Sequence, residues 1–405
     1  MKSLILGYGL SGKAIESYLV SKKRDYLIYD ENPEHIPPQF LFKEEYFNDI
    51  EIAYVSPGIP PTNKLFIKLK KNKIRVLTDL DIFFNELNNK NIFSIGVTGT
   101  NGKTTFVTIL SKFLNSLNLE TYAIGNIGRS PLEILEEVNQ QNKRIYLIFE
   151  ISSYQLYHSD ALYFDIGVLL NISKDHLDWH KDFNDYVASK NKIITFTKNL
   201  SGIVKELKVN EVEKLNPNLS LFIKELRKKG FHIDTLLSFF KVLYFLELLE
   251  NNLKKAFDFL MNLDQFDHRF EILNSSSKRI YINDSKATNL DAVNFAIEKL
   301  NNIDDKKDRK KVLILHGDNK GVEFSELNLN KIDVLIKPKK TIVNQTSEVE
   351  IYNYKKLKNE IEFILNQVPI DSVILFSCGG SSFTEFNNYM DRGQFFKDVV
   401  KRLEV

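Results

Sequence analysis

The sequence predicts an α/β protein with parallel sheets, divided into two or three domains. Three observations carry this. Short apolar runs alternate with amphipathic helical stretches nearly throughout, each run is followed by a turn and then helix-like sequence, and 405 residues exceed one ordinary core. In order, Ser3–Leu6, Tyr26–Tyr29, Ile52–Val55, Phe93–Val97, Tyr146–Phe149 and Ile166–Leu170 read as buried strands. Arg279–Ile282, Val312–Leu315 and Ser372–Phe376 follow in the same style. Boundaries are expected at the polar Asn88–Asn91 and near Gln265–Glu271, where a helical region gives way to a new strand series. The Lys/Asn-rich stretches Asn301–Lys311 and Lys337–Lys340 read as solvated loops, and no internal repeat is evident.

Bulk properties narrow the function classes. An apolar fraction of 43% and a charged fraction of 27% are those of a soluble globular protein. A net charge of +2 gives no reason to expect nucleic acid or an anionic membrane as partner. Cys378 is the single cysteine, which rules out an intrachain disulfide and fits a reducing compartment. The glycines and polar helix behind the first residues argue against a signal peptide. The longest apolar candidate, Phe239–Leu249, is broken by Lys241 and Glu247.

The strongest local signal is Gly96-Val-Thr-Gly-Thr-Asn-Gly-Lys-Thr104, between a strand and a helix. Such a turn points backbone N–H groups at a phosphate, where the helix dipole favours negative charge. Lys103 is suited to the β- and γ-phosphates and the Thr104 hydroxyl to Mg²⁺. The spacing departs from the general nucleotide-loop pattern, because Val97 stands where its first glycine belongs. Glu150 ends another strand, at the edge where α/β sites form. At the N-terminus, Gly7-Tyr-Gly-Leu-Ser-Gly12 follows a strand, and Asp30 ends the next one. Taken alone this fingerprint suggests an NAD-dependent oxidoreductase, although the same backbone turn binds any pyrophosphate.

The loop Thr98-Gly-Thr-Asn-Gly-Lys-Thr104 resembles that of the Mur ligases and of folylpolyglutamate synthases, which make amides by way of acyl phosphates. The resemblance extends over nearly the whole chain. It implies ATP contacts at Gly99, Thr100, Asn101, Gly102, Lys103, Thr104 and Thr105, and at Arg269 and Asp284 further on. Glu150 matches the family's Mg²⁺-binding glutamate. His176, in Leu170-Asn-Ile-Ser-Lys-Asp-His-Leu-Asp178, matches the histidine ligand of a second Mg²⁺. His180 has no such match and is left unassigned. Lys190, in Tyr186-Val-Ala-Ser-Lys190, matches the lysine that is carbamylated by CO₂, with Lys192 as its competitor. A carbamate offers two oxygens to a hard cation, whereas an ammonium would be repelled. The chemistry needs the neutral amine, which at pH 7 is only about one in a few thousand of ordinary lysines. Lys103, Glu150, His176 and Lys190 are therefore the expected catalytic set. Thr104, Glu150, His176 and carbamylated Lys190 are the expected metal ligands.

The resemblance also implies three domains: a UDP-binding Rossmann-like domain over 1–90, a P-loop NTPase-like ATP/Mg²⁺ domain over 91–268, and a Rossmann-like amino-acid domain over 269–405. The UDP-sugar is expected at Gly9, Leu10, Ser11, Gly12, Asp30, Ser56, Pro57, Gly58, Asn126 and Ser152. Asp284-Ser-Lys-Ala-Thr-Asn289, and Ser381-Ser-Phe with a downstream Arg392-Gly393, resemble the branch that adds D-glutamate to UDP-N-acetylmuramoyl-L-alanine. That branch implies Lys286, Thr288, Lys320, Ser382 and Tyr389 around D-glutamate. It also implies two Mg²⁺ ions and a cytoplasmic monomer without nucleic acid or membrane partners. Another amide ligase of the same type, or an oxidoreductase using Gly7–Gly12, is the alternative. One family motif is incomplete: in Gly230-Phe-His-Ile-Asp-Thr-Leu236, Ile233 and Leu236 replace its two asparagines. Residues 195–262 receive no functional assignment.

Overall fold

The computed structural model describes residues 2–273, 275, 278–300, 309–320, 322–324, 326–344 and 348–404. The chain forms two compact units, Met1–Ile172 with Trp179–Met261, and Ser173–Asp178 with Asn262–Val405.

The first unit contains two sheets. β1 (Lys2–Leu6), β2 (Tyr26–Tyr29), β3 (Ile50–Val55) and β4 (Arg75–Leu77) form a parallel sheet in the order β2-β1-β3-β4. β5 (Ile92–Thr98), β6 (Thr121–Gly125), β7 (Ile145–Glu150), β8 (Ile166–Leu169) and β9 (Ile203–Lys205) form a second, ordered β6-β7-β5-β8-β9 and also parallel. In both, the strand order reverses beside the first strand, and in open parallel sheets ligands bind at such switch points, outside the strand C-termini. Gly7–Gly12 leaves β1 and Ser56–Gly58 leaves β3, its neighbour. The phosphate loop leaves β5, Glu150 ends β7 and Asn171 follows β8, on either side of it.

Strands covered on both faces read as unbroken apolar runs. β7, Ile-Tyr-Leu-Ile-Phe-Glu, is buried at every position. The helix Asp79–Glu86 is set by a capping box in which Thr78 and Asp81 satisfy each other's backbone N–H groups. It packs on the second sheet: Phe83 and Phe84 lie 5.6 and 5.2 Å, centroid to centroid, from Phe149. Asp81 also accepts the backbone N–H groups of Asp160 and Ala161, at 3.1 and 2.9 Å.

The second unit holds β10 (Glu271–Leu273), β11 (Ile280–Asp284), β12 (Lys310–His316), β13 (Val334–Pro338), β14 (Glu350–Tyr354) and β15 (Ser372–Gly379). Their order is β10-β11-β15-β12-β13-β14, parallel except for the edge strand β10. One apolar cluster lies on each face of this sheet, around Val293, Leu313 and Leu375 on one side and Ile314, Leu357 and Phe396 on the other.

All the expected strands form, and among the described residues six more appear. Lys337–Lys340 is not a solvated loop throughout: Lys337 lies in β13, and it is buried with Nζ donating to the Thr341 carbonyl at 2.7 Å. Of Asn301–Lys311, residues 301–308 lie outside the described residues, while Lys310 and Lys311 open β12. Among the described residues no helix is long and apolar enough to cross a membrane.

Candidate active site

The helix Lys103–Ser116 begins directly behind the phosphate loop. Its N-cap, Gly102, has φ +84°, a left-handed conformation that a side chain would strain. Thr104 and Thr105 occupy the first turn, half-buried. Lys103 folds back, its Nζ donating to the carbonyls of Gly99 (2.7 Å) and Thr100 (3.0 Å). Asn171 fixes the loop from the neighbouring strand. Its carbonyl accepts Thr100 N–H at 2.9 Å, its Oδ1 accepts Asn101 N–H at 2.9 Å, and its Nδ2 donates to the Asn101 carbonyl at 3.3 Å.

Glu150 is buried at the end of β7. Oε1 accepts from Asn126 Nδ2 at 3.1 Å, and the Asn126 N–H donates to the Glu150 carbonyl at 2.9 Å. Oε2 is buried with no hydrogen-bond partner among the described residues. A buried carboxylate oxygen left so is costly unless a cation meets it, and a hard divalent ion suits it. Among the described residues no three His, Cys, Asp or Glu side chains gather at one point, so a cation here would need mixed ligands such as Glu150 and a hydroxyl.

The helix Phe183–Thr195 brings two side chains, Lys190 and Tyr186, toward this edge. Lys190 is buried, with Nζ donating to the Gly99 carbonyl at 2.7 Å and lying 4.8 Å from the Tyr186 ring centroid. The Tyr186 hydroxyl is 2.8 Å from Thr100 Oγ1. Lys192 points elsewhere, to the carbonyls of Tyr157 and Ser159 at 2.8 and 2.9 Å. His180, which sequence reasoning passed over, is buried between Asp185 Oδ2 (2.9 Å from Nδ1) and Ser153 Oγ (3.0 Å from Nε2). It ties the segment behind Glu150 to the helix that carries Lys190.

The unassigned region reaches this loop as well. His232 caps the helix Ile233–Phe245, and Asp234 Oδ2 accepts from Asn171 Nδ2 at 3.3 Å. A Cβ on Gly102 would meet Thr235 Oγ1 at 3.2 Å. The legible signals were the incomplete motif Gly230–Leu236 and, within it, a polar Asp-Thr pair at an otherwise apolar helix start.

In the first sheet, a Cβ on Gly12 would stand 2.1 Å from the Gly7 carbonyl oxygen, so the turn closes only on glycine. At Gly9 the same position is open, with nothing within 4 Å, and Leu10 is 91% exposed beside it. Ser11 Oγ donates to Asp79 Oδ2 at 2.9 Å, and burial pushes the Asp79 carboxyl up. Asp30 serves the loop itself, accepting Tyr8 N–H at 2.6 Å and Asn32 N–H at 2.9 Å. Ser56 Oγ donates to the Gly7 carbonyl at 2.7 Å, and the Gly58 carbonyl, one residue past Pro57, accepts Trp179 Nε1–H at 3.4 Å. Ser152 caps the short helix Ser153–His158 through a capping box with Gln155.

In the second unit, Asp284 ends β11. Oδ1 accepts Phe270 N–H at 3.0 Å and Oδ2 accepts Ser377 Oγ–H at 2.7 Å. Burial pushes it up to about 6, against those two bonds and the charges of Lys299 and Arg269. Lys286 and Tyr389 meet, with Nζ 3.9 Å from the ring centroid. Lys320 Nζ is 3.0 Å from Asp175 Oδ1, and Asp175 Oδ2 accepts from Asn289 Nδ2 at 3.1 Å. Burial works to raise the Asp175 carboxyl, but the charges of Lys320 and His176 leave it below the usual range. His176, at φ +56°, donates its N–H to Asp175 Oδ1 at 2.9 Å. Ser382 is buried and Thr288 half-buried, on the segments after β15 and β11.

Residues 97–222 match the Mur ligase middle domain. Along the full chain the protein is 29% identical to the UDP-N-acetylmuramoylalanine–D-glutamate ligase of Francisella tularensis subsp. tularensis (strain FSC 198), over 96% of that relative. The enzyme of the same name from Francisella tularensis subsp. novicida (strain U112) is also 29% identical, with the same coverage. Among solved structures, Thermotoga maritima MurF ligase in complex with ADP aligns with TM-score 0.55 at 15% identity, covering 89% of this chain and 92% of that one. Thermotoga maritima UDP-N-acetylmuramate–alanine ligase MurC aligns with TM-score 0.51 at 15% identity, covering 99% and 100%. These two likenesses concern the fold, and they agree with the several parallel α/β sheets described above. With the phosphate loop, Glu150 and Lys190 assembled at one sheet edge, the chain matches the Mur ligase middle domain over residues 97–222 and is similar from end to end to ligases of that type.

Proposed function

We propose that this protein is the ATP-dependent ligase that joins D-glutamate to UDP-N-acetylmuramoyl-L-alanine, in cytoplasmic synthesis of peptidoglycan precursors. The observation that carries this reading is the full-length similarity to ligases of that name. The site chemistry supports it. In this reading residues 1–90 bind the UDP moiety, 91–268 bind ATP and Mg²⁺ in a P-loop NTPase-like domain, and 269–405 bind the amino acid, in a chain that acts as a monomer.

The phosphate loop's N–H groups and Lys103 hold the ATP phosphates. Glu150, through Oε2, and Thr104 are the residues suited to Mg²⁺, with His176 and the Lys190 carbamate as further ligands. Bound Mg²⁺ supplies charge neutralisation at the transferring phosphoryl group. An oxygen of the alanyl carboxylate attacks the γ-phosphorus and ADP leaves. The amine nitrogen of D-glutamate then attacks the acyl carbon and loses a proton, and phosphate departs. Arg269 and Asp284 serve the nucleotide from the third sheet's edge. Lys286, Thr288, Lys320, Ser382 and Tyr389 receive the two carboxylates of D-glutamate, and a neutral amino acid would leave the cations among them unmatched.

The test is phosphate release from ATP with UDP-N-acetylmuramoyl-L-alanine and a panel of amino acids. D-glutamate is expected to drive turnover, with L-glutamate, glycine and D-alanine near background. A preference for L-alanine or a diamino acid overturns the reading.

A further inference from the structure

Arg392 is fully buried, the largest such side chain among the described residues. It lies on the helix Tyr389–Leu403. Nε donates to Ser285 Oγ at 3.0 Å and Nη2 to the Ser285 carbonyl at 2.7 Å. Nη1 donates to the Gly380 carbonyl at 3.0 Å, and lies 3.3 Å from the His316 carbonyl and 3.2 Å from His316 Nδ1. Ser285 follows β11, Gly380 follows β15 and His316 ends β12, and these three strands are adjacent. One guanidinium therefore joins three strand-end segments.

Its partners are three backbone carbonyls, a hydroxyl and an imidazole. Burial and the Arg392 charge press His316 down to about 4, so the ring is neutral at pH 7. Among the described residues no carboxylate hydrogen-bonds to Arg392, and Asp284 acts on it only through space. Glu385 is one bond removed, 3.2 Å from His316 Nε2, and it also accepts the N–H groups of Leu357 and Lys358. A buried cation is ordinarily paired with an acid, because desolvation is costly. Satisfied by neutral groups, Arg392 keeps its field, and in a low-dielectric interior that field reaches further than in water. The same segments carry Lys286, next to Ser285, Lys320, four residues past His316, and Ser382, two past Gly380.

We infer that Arg392 is a positioning and specificity-determining residue for a dianionic acceptor: it sets the three strand-end segments in register and adds a positive charge beneath them that favours the acceptor's second carboxylate. This rests on the reading that D-glutamate is the acceptor.

The experiment compares kcat/KM for D-glutamate with that for its neutral isostere D-glutamine, in the wild type and three variants. Arg392→Gln is expected to lower the D-glutamate to D-glutamine ratio by about tenfold or more, with the KM for ATP little changed. Arg392→Lys keeps the charge but loses the fork, so both substrates suffer while the ratio stays within about threefold. Glu385→Gln removes the neighbouring negative charge and is expected to raise the ratio about twofold or more. This opposite sign is one that a purely structural role would not produce, and it decides the matter if Arg392→Gln does not fold. An unchanged ratio in Arg392→Gln, or an unchanged or lowered one in Glu385→Gln, overturns the inference. A wild type that gives no phosphate with D-glutamate overturns the acceptor assignment instead.

Discussion

Lys103 and Lys190 donate to the same acceptor: each ammonium bonds the Gly99 carbonyl oxygen at 2.7 Å. Two like charges on one oxygen of a phosphate loop repel each other. Carbamylation of Lys190 would turn one of them into an anion suited to a hard cation. Lys190→Ala is expected to lower phosphate release at least about a hundredfold, the scale of losing one electrostatic contact to the transition state. Acetate should restore part of that activity by filling the vacated oxygen position. Lys103→Ala should be equally inactive and beyond such rescue. Lys192→Ala, whose ammonium serves Tyr157 and Ser159, should keep most of the activity. Acetate rescue of Lys192→Ala, or an active Lys190→Ala, would remove the carbamate assignment.

Asn171 holds both sides of the Asn101 peptide while Asp234 holds Asn171. Asn171→Ala leaves the Asn101 N–H and carbonyl without these partners, a change of about 1–3 kcal/mol in an enclosed loop. The expected result is a KM for ATP raised about tenfold or more, with a smaller fall in kcat. Asp234→Ala should act in the same direction and more weakly. A wild-type KM for ATP in Asn171→Ala would show that the loop holds its shape alone.

Gly12 and Gly9 separate closure of the first loop from its ligand space. Gly12→Ala forces a Cβ against the Gly7 carbonyl, which cannot move without the strand, so both thermal stability and UDP-sugar binding should fall. Gly9→Ala meets nothing within 4 Å, so the melting temperature should hold. Its methyl group would stand where backbone approaches pyrophosphate, and calorimetric affinity for UDP should drop. Tight UDP binding by Gly9→Ala would place the nucleotide elsewhere.

The sequence exposed those parts of the fold whose physics is local. Unbroken apolar strands such as β7, and glycines whose positions tolerate no Cβ, could be recognised without tertiary structure. Strands β4, β9 and β10 have three residues each, too few for periodicity to register. β13 was concealed because Lys337 is buried through its Nζ bond to Thr341, a contact between residues four apart that no pattern of polarity announces. The site divides in the same way. Lys103 is marked by its place in the phosphate loop and Glu150 by its place at a strand end. His180, Asn171, Asp234 and Arg392 each have at least one partner between 27 and 107 residues away, and only packing brings such pairs together.

Asp284 supplies a test that depends on proton linkage. Its carboxyl is pushed from 3.8 up to about 6, chiefly by burial. An unfolded aspartate loses its proton near the lower value, so between these pH values the native state binds more protons than the unfolded state. Stability therefore falls as pH rises through that window and levels off above it. Asn in its place has no proton to lose. Its Oδ1 can still accept Phe270 N–H, and its Nδ2 can donate to Ser377 Oγ once that hydroxyl rotates. The stability of Asp284→Asn relative to wild type should thus increase from pH 4.5 to about pH 6.5, by about 2 kcal/mol, and then hold nearly steady. His158 and His316, both pressed down to about 4, titrate over an overlapping range, but they do so in both proteins and drop out of the difference. Urea unfolding of the two proteins at four pH values between 4.5 and 7.5 measures it. A difference that stays flat, or declines as pH rises, would mean that Asp284 is charged throughout, and that Ser377 and the Phe270 amide outweigh its burial.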